Sequence, residues 1–442
     1  MINRRLFYLI EMTTTENIYQ LFRKFSKVST DSRKIAKGSL FFALKGDNFN
    51  GNKFAADSLK KGAAYAIIDE KEYLISEKTI LVDNVLNTLT ELANLHRNNL
   101  GIPILAITGT NGKTTTKELV SNILAQKFNV SFTEGNLNNH IGVPLTLLKM
   151  NSKTQFGVVE MGANHPGEIA KLCAIAEPDF GIITNIGKAH LEGFGSFEGV
   201  IATKSELFNY LKTKNGTFFY NRNSTILEKL AGKYKNKITF GHDNADLTGE
   251  LLQSPPFIHI KVNFKKGALY LNTNLIGDYN FENIMAATCI GYHFDVDPLK
   301  IQKALKEYQP QNNRSQLIYK NGLKIIMDAY NANPTSMQAS IKSFLFNNKK
   351  DNYLILGDML ELGNYAQQEH ITILNLVNNS PSLKAFLVGP IFKETGKKYN
   401  FKTFNNVSEL NQFLKKNPIK NGNILIKGSR GIQLEKVLDF LN

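Results

Sequence analysis

From about Gly101 onward, short apolar runs alternate with amphipathic helical stretches, the pattern of strand–helix units laid on a parallel sheet. The runs ILAIT (104–108), FGVVEM (156–161), FGIITNI (180–186), LKIIMD (323–328), NYLILG (352–357), AFLVG (385–389) and NILIK (423–427) are the strand candidates. Two polar, Pro-containing breaks interrupt the alternation, one at Asn98-Asn99-Leu100-Gly101-Ile102-Pro103 and one at Tyr308-Gln309-Pro310-Gln311-Asn312-Asn313. They predict an α/β protein of three domains, 1–100, 101–309 and 310–442, the number that 442 residues suggest at about 150 residues per domain. No internal repeat is visible.

Composition narrows the classes. Hydrophobic residues make up 42% of the chain, enough to bury cores and to exclude a disordered or fibrous chain. The formal net charge is +15, and it is spread out: 15 basic against 11 acidic residues in 1–100, 21 against 18 in 101–309, and 17 against 9 in 310–442. A dispersed excess predicts solvated surface suited to small polyanionic substrates, with no track for a nucleic-acid backbone. Cys173 and Cys289 are too few for a disulfide framework and suit a reducing compartment, so a cytoplasmic location is expected. The stretch Leu6 to Ile10 is cut off by Glu11, too short for a signal segment, and no apolar run reaches about 18 residues, so no membrane association is expected. Met12 is an alternative start to Met1.

The sharpest local signal is TGTNGKTTT, Thr108 to Thr116, directly after ILAI and before the helical run that starts Lys117-Glu118-Leu119. Small residues let the backbone curl so that N–H groups and a helix N-terminus face phosphate oxygens; Lys113 adds a cation, and Thr114 offers a hydroxyl to Mg²⁺. The general G-x-x-x-x-G-K-[ST] pattern is broken at Ile107, where its first Gly would stand. Glu160 closes a second strand and is placed either to hold Mg²⁺ at the ligand-binding edge of the sheet or to serve as a surface residue or cap. A third edge carries Asn185-Ile186-Gly187-Lys188-Ala189-His190, with His190 either structural or a metal ligand.

The set TGTNGKTT, EMGANHPGEI, NIGKAHLEGFGS, DAYNANPTSM, GDMLELG and KGSRG, with STDSR (29–33) and GSLFFALKGDNFNG (38–51) before it, resembles the Mur ligase family over nearly the whole length. The resemblance implies a small N-terminal α/β domain for the UDP-linked precursor, a central P-loop ATPase-like domain, and a C-terminal Rossmann-like domain that binds the incoming dipeptide and completes the ATP site. It implies an ATP-dependent ligation of D-alanyl-D-alanine to UDP-N-acetylmuramoyl-tripeptide through an acyl phosphate, within peptidoglycan synthesis, cell-wall formation, cell shape and division. A monomer is expected. Selectivity for lysine or diaminopimelate in the tripeptide rests on pocket shape and is carried by no motif.

Residue by residue, the resemblance assigns Thr108, Gly109, Thr110, Asn111, Gly112, Lys113, Thr114 and Thr115 to the ATP phosphates. Thr114 and Glu160 become ligands of one Mg²⁺. His190 serves a second, helped by Lys204, which matches the lysine the family carbamoylates; by its own spacing Lys204 reads as a solvated helix residue. In GDYNFENIMAA (277–287) Asn280 and Asn283 fill the adenine-side positions, while Tyr279 stands where His is usual. Arg314 matches the arginine reaching the γ-phosphate, although the Gly before it is Asn313 here, and Asp328 the acceptor of the ribose hydroxyls. Tyr330, Asn331, Asn333 and Ser336 form the loop that follows, also read as a turn and cap into a helix from Pro334. Asp31, Ser32 and Arg33 match the uridine-nucleotide entry motif, and the Asp-Gly-His expected next reads Asn50-Gly51-Asn52. Catalysis by positioning falls to Lys113, His190, Lys204 and Arg314.

The motifs DAYNANPTSM and GDMLELG argue against a sister ligase adding the third residue or polyglutamate. A GTPase or nucleic-acid motor is disfavoured by the lack of an Asn-Lys-x-Asp element and by the dispersed charge.

Overall fold

The computed structural model describes residues 14–253, 256–311, 313–347, 351–380 and 383–441. The Leu6 to Ile10 stretch and both candidate starts lie outside the described residues. By contact density the chain divides into two compact units, one holding the residues up to Ala106 with Phe128–Gly162 and Glu168–Phe180, the other holding Ile107–Lys127, Ala163–Gly167 and the chain from Gly181 onward.

In the first unit, strands β1 (Val28–Ser29), β2 (Leu40–Phe42), β5 (Tyr65–Ile68) and β6 (Thr79–Leu81) form a four-stranded parallel sheet in the order β1-β2-β5-β6. Phe41, Ala43, Ala55, Ala66 and Ile68 pack on one side of it. A two-stranded ribbon, β3 (Lys45–Gly46) and β4 (Phe49–Asn50), precedes the Asn50-Gly51-Asn52 turn. Asn52 is fully buried there and bonds Asn50 and Asp69, so the residues that replace the family's Asp-Gly-His knot the loop to the sheet. The helix Val85–Leu100 is capped by Asn84 and stops at Gly101 in the left-handed region, the first polar break of the sequence.

The central sheet contains β7 (Ile104–Thr108), β8 (Val130–Phe132), β9 (Phe156–Glu160), β10 (Phe180–Ile183), β11 (Thr217–Asn221), β12 (Lys237–Gly241), β13 (Leu247–Gln253), β14 (His259–Phe264) and β15 (Gly267–Asn272), in the order β15-β14-β13-β12-β11-β10-β7-β9-β8. The strands β13 to β15 are antiparallel. The sequence reading placed no strand there, because β14 alternates buried and exposed residues and lacks the continuous apolar run that marks a strand covered on both faces.

The C-terminal sheet runs β16 (Gln316–Lys320), β17 (Leu323–Asp328), β21 (Gly422–Lys427), β18 (Asn352–Gly357), β19 (Leu383–Val388) and β20 (Lys402–Phe404), parallel except for β16. LKIIMD and NYLILG form strands over the whole of their expected spans. Ile325, Met327, Ile355, Ile424 and Ile426 fill its core, each worth about 1.5–3 kcal/mol of burial. The strand order puts the C-terminal ends of β17, β21 and β18 side by side, and DAYNANPTSM, KGSRG and GDMLELG each begin at one of those ends. Ligands of open parallel sheets bind at this kind of edge.

Candidate active site

The loop Gly109 to Gly112 joins the fully buried β7 to the helix Lys113–Leu124. Gly112 has φ +77°, and a Cβ on it would lie 2.3 Å from the Asn283 side chain, so only glycine fits. No side chain caps the helix that follows and its first turn carries no acid, which leaves backbone N–H donors and the positive dipole end for an anion. The Lys113 ammonium folds back over the loop and donates to Gly109 O at 2.8 Å and Thr110 O at 3.2 Å. The end of β10 braces the loop from the side: Thr110 N–H donates to Asn185 O, Asn111 N–H to Asn185 Oδ1, and Thr184 Oγ1 to Asn111 O. Thr108 and Thr114 are buried and Thr115 is half-buried.

The two asparagines expected at the adenine are themselves buried and face inward. Asn280 Nδ2 donates to Ile276 O and Asn283 Nδ2 to Asn280 Oδ1, while Asn283 Oδ1 accepts from Thr116 Oγ1. This relay ties the helix Asn280–His293 to the phosphate-loop helix. The cap position is Tyr279, whose buried hydroxyl lies 2.8 Å from Ser315 Oγ; burial and the nearby Asp328 charge push its phenol up, so it stays protonated.

Glu160 ends β9 and is 2% exposed, which replaces the surface or cap reading with a buried carboxylate. Its Oε1 accepts from Asn138 Nδ2 at 2.8 Å and its N–H donates to Thr133 Oγ1. In the N-terminal sheet region, Arg33 grips Asp31 with two 2.9 Å hydrogen bonds, and these hold the Asp31 carboxyl down at about 2. Ser32 between them is buried.

His190 has φ +50°, in the left-handed region, and its Nδ1 lies 2.5 Å from Glu361 Oε2, an ion-pair distance without aligned hydrogen-bond geometry. The imidazole holds the Glu361 carboxyl below the usual carboxylate range. Phe194 packs edge-on against the His190 ring, and Lys204 Nζ lies 5.4 Å from the centre of the same Phe194 ring. Lys204 is 2% exposed, so the solvated-helix reading is corrected: it sits on the inner face of the helix Phe197–Thr213, near the aromatic neighbour of His190.

At the C-terminal sheet edge, Arg314 stacks on Tyr330 with its guanidinium carbon 3.6 Å from the ring centre, and its buried Nε has no hydrogen-bond partner. An orphaned guanidinium N–H is a donor awaiting an acceptor. Asp328 lies opposite Lys427 in the β17–β21 register and pairs with its ammonium at 2.6 Å; Ser340 Oγ and Ser315 N–H donate to the same carboxylate. Asn331 Oδ1 accepts from Ala332 N–H. Asn333 and Ser336 bond reciprocally ahead of the helix from Pro334, and Asn333 Nδ2 also donates to Asn111 Oδ1 of the phosphate loop at 2.7 Å. The turn-and-cap reading of this motif therefore holds beside any binding role.

Among the described residues, no three His, Cys, Asp or Glu side chains cluster as metal ligands. The buried Thr114 hydroxyl and the buried Glu160 carboxylate are hard oxygen donors. Among the described residues, no helix is long and apolar enough to cross a membrane.

Three family patterns match the chain: "Mur ligase family, catalytic domain" at residues 24–105, "Mur ligase middle domain" at 107–291, and "Mur ligase, glutamate ligase domain" at 313–430. The chain belongs to the Mur ligase family. It is 34% identical over 427 residues, 94% of its own length and 92% of the relative's, to the UDP-N-acetylmuramoyl-tripeptide--D-alanyl-D-alanine ligase of Bacillus subtilis. Among solved structures similar at 28% identity are two examples. One is MurF from Acinetobacter baumannii, TM-score 0.87 over 97% of this chain and 98% of that one; the other is the MurF ligase of Thermotoga maritima in complex with ADP, TM-score 0.83 over 94% and 96%. The three-domain α/β architecture of this Mur ligase, N-terminal, central and C-terminal, is the one those structures have.

Sequence reasoning assigned no role to Asn185, Glu361 or Lys427. All three lie inside motifs quoted for the resemblance, so the signal was present. What was missing was the partner, which for Glu361 and Lys427 lies far away in the chain.

Proposed function

We propose that this Mur ligase joins D-alanyl-D-alanine to UDP-N-acetylmuramoyl-tripeptide at the expense of ATP, in the cytoplasm, as a step of peptidoglycan precursor synthesis. What carries the reading is the phosphate loop: an uncapped helix N-terminus, a glycine with no room for a side chain, and Lys113 held over the loop carbonyls. The relatives matched over nearly the full length bear the name of that reaction, and one similar structure holds ADP.

In this reading residues 1–100 receive the UDP end through Asp31, Ser32 and Arg33, 101–309 the ATP, and 310–442 the dipeptide. A carboxylate oxygen of the tripeptide attacks the γ-phosphorus of ATP and ADP leaves, giving an acyl phosphate. The dipeptide amine then attacks the carbonyl carbon, phosphate departs with the carboxylate oxygen, and the amine gives up its proton. No protein nucleophile is needed. Lys113 and Arg314, whose buried Nε is without a hydrogen-bond partner, neutralise the phosphoryl oxygens as negative charges converge. Asn280 and Asn283 hold the adenine side, Asp328 the ribose, and Tyr330, Asn331, Asn333 and Ser336 the loop over the incoming dipeptide. Asn280 and Asn283 also fix their helix against Thr116 through bonds within the chain.

Thr114 and Glu160 are the donors offered to one Mg²⁺, and His190 with carbamoylated Lys204 those offered to a second. Bound there, Mg²⁺ supplies positive charge to the terminal phosphates. An ammonium cannot ligate a cation, so Lys204 serves only after its amine has captured CO₂ and become a carboxylate; its burial beside Phe194 supports a role other than surface solvation. The protein acts as a monomer.

Phosphate release tests the reaction. Sustained turnover of ATP should require the UDP-tripeptide and D-alanyl-D-alanine together. Equal turnover with an L-amino acid or with glutamate in place of the dipeptide would move the chain to a sister ligase.

A further inference from the structure

The segment Glu361 to Gly363 of GDMLELG lies against the turn that carries His190. Glu192 N–H donates to Glu361 O at 3.3 Å, and a Cβ on Gly363 would lie 3.2 Å from that of Glu192. His190 and Glu361 both hold left-handed backbone without being glycine, φ +50° and +65°. Such conformations persist where surrounding bonds over-determine them. The two residues before Glu361 are tied down in turn: Met359 N–H donates to His370 Nε2 and Leu360 N–H to Ser429 Oγ, both buried groups of the C-terminal sheet region. The strained segment delivers the Glu361 carboxylate to His190 Nδ1 and leaves Nε2 as the ring's other nitrogen.

We infer that Glu361 is a positioning residue for His190: its carboxylate occupies the Nδ1 side of the ring, leaving Nε2 as the nitrogen that would take a metal, and it would make the second metal site depend on the C-terminal segment. A histidine ligand commonly gives its second nitrogen to a carboxylate, which fixes tautomer and ring orientation. As a stabilising ion pair the contact would count for little, because the Glu361 side chain is 53% exposed. Its consequence therefore falls on the histidine. The inference rests on the proposed reading of His190 as a metal ligand, and the test separates the two.

The probe is Mn²⁺, titrated by electron paramagnetic resonance into the full chain with a non-hydrolysable ATP analogue and the UDP-tripeptide. His190→Ala should remove one Mn²⁺ equivalent; an unchanged count would end the metal reading of His190 and this inference with it. Glu361→Gln should keep that equivalent but weaken it about 10-fold to 100-fold. Lys188→Met is the control, since it cuts the Lys188–Glu369 pair, 2.6 Å, which joins the turn before His190 to the helix Ala366–Asn378 that follows the Glu361 segment, without removing the Glu361 contact. It should leave Mn²⁺ affinity within about twofold. Unchanged affinity in Glu361→Gln, or an equal loss in Lys188→Met, overturns the positioning role in favour of plain domain contact.

Discussion

Lys204 and Lys427 are buried to the same extent, 2% exposed each, and their surroundings differ in kind. Lys427 ends β21 directly opposite Asp328, and the ammonium meets the carboxylate at 2.6 Å with Ser340 donating to the same oxygen. That lysine is neutralised by its neighbour in the strand register, and the pair ties β17 to β21 at the C-terminal sheet edge. Lys204 lies on a helix, over the ring of Phe194 that also packs against His190. Burying an ammonium is costly unless a charge or a chemical change answers it. Equal burial thus accompanies two different settings, a strand-register ion pair for Lys427 and a helix face beside the aromatic neighbour of His190 for Lys204, and burial alone does not tell them apart.

Variants at the two sites should fail differently. Lys427→Met strands Asp328 without its counter-charge and should cost about 3–5 kcal/mol in the C-terminal melting transition; adding Asp328→Asn should return much of that. A stable single variant would mean that the pair is not structural. Lys204→Ala should leave melting nearly unchanged while kcat falls roughly 10³-fold, about 4 kcal/mol. Acetate or formate, entering the vacated position, should restore part of it. Full activity in Lys204→Arg would end the carbamate reading, because a guanidinium forms no such adduct. Lys113→Ala is the next smaller change, about 10²-fold in kcat or about 3 kcal/mol, with folding intact. The smallest is Tyr279→Phe, which removes the hydroxyl from Ser315 on the side of Asp328 away from Lys427. The loss should be about 1 kcal/mol, read as a roughly fivefold rise in KM for ATP at constant kcat.

The parallel strands β7, β9, β10, β17, β18, β19 and β21 and the phosphate loop were legible in the sequence because both are local, whereas the parallel pair β11 and β12 was not read. A continuous apolar run marks a strand covered on both faces, and β7, β17 and β18 occupy the whole of their expected spans. The Asn333–Ser336 cap could be read from spacing for the same reason. What stayed hidden depends on pairing across the chain. Lys427 and Asp328 are 99 residues apart, and only the strand order β17-β21-β18 makes them neighbours. Glu361 is equally remote from His190. Asn280 and Asn283 show a third kind of hidden feature: their residue types suit an adenine edge, and their amides also bond Ile276, each other and Thr116, an arrangement that no spacing reveals. The antiparallel β13–β15 was missed because its half-exposed alternation is weak beside the apolar runs around it.

All of these assignments serve one claim, that the tripeptide carboxylate is activated by taking the γ-phosphoryl group of ATP. Isotope transfer tests it most directly. UDP-tripeptide labelled with ¹⁸O in the terminal carboxylate would be turned over with ATP and D-alanyl-D-alanine, and the released phosphate examined by mass spectrometry. The account expects one ¹⁸O in each phosphate, carried across when the amine displaces it from the acyl carbon. Phosphate free of the label, formed at the same rate as the new peptide bond, would contradict it.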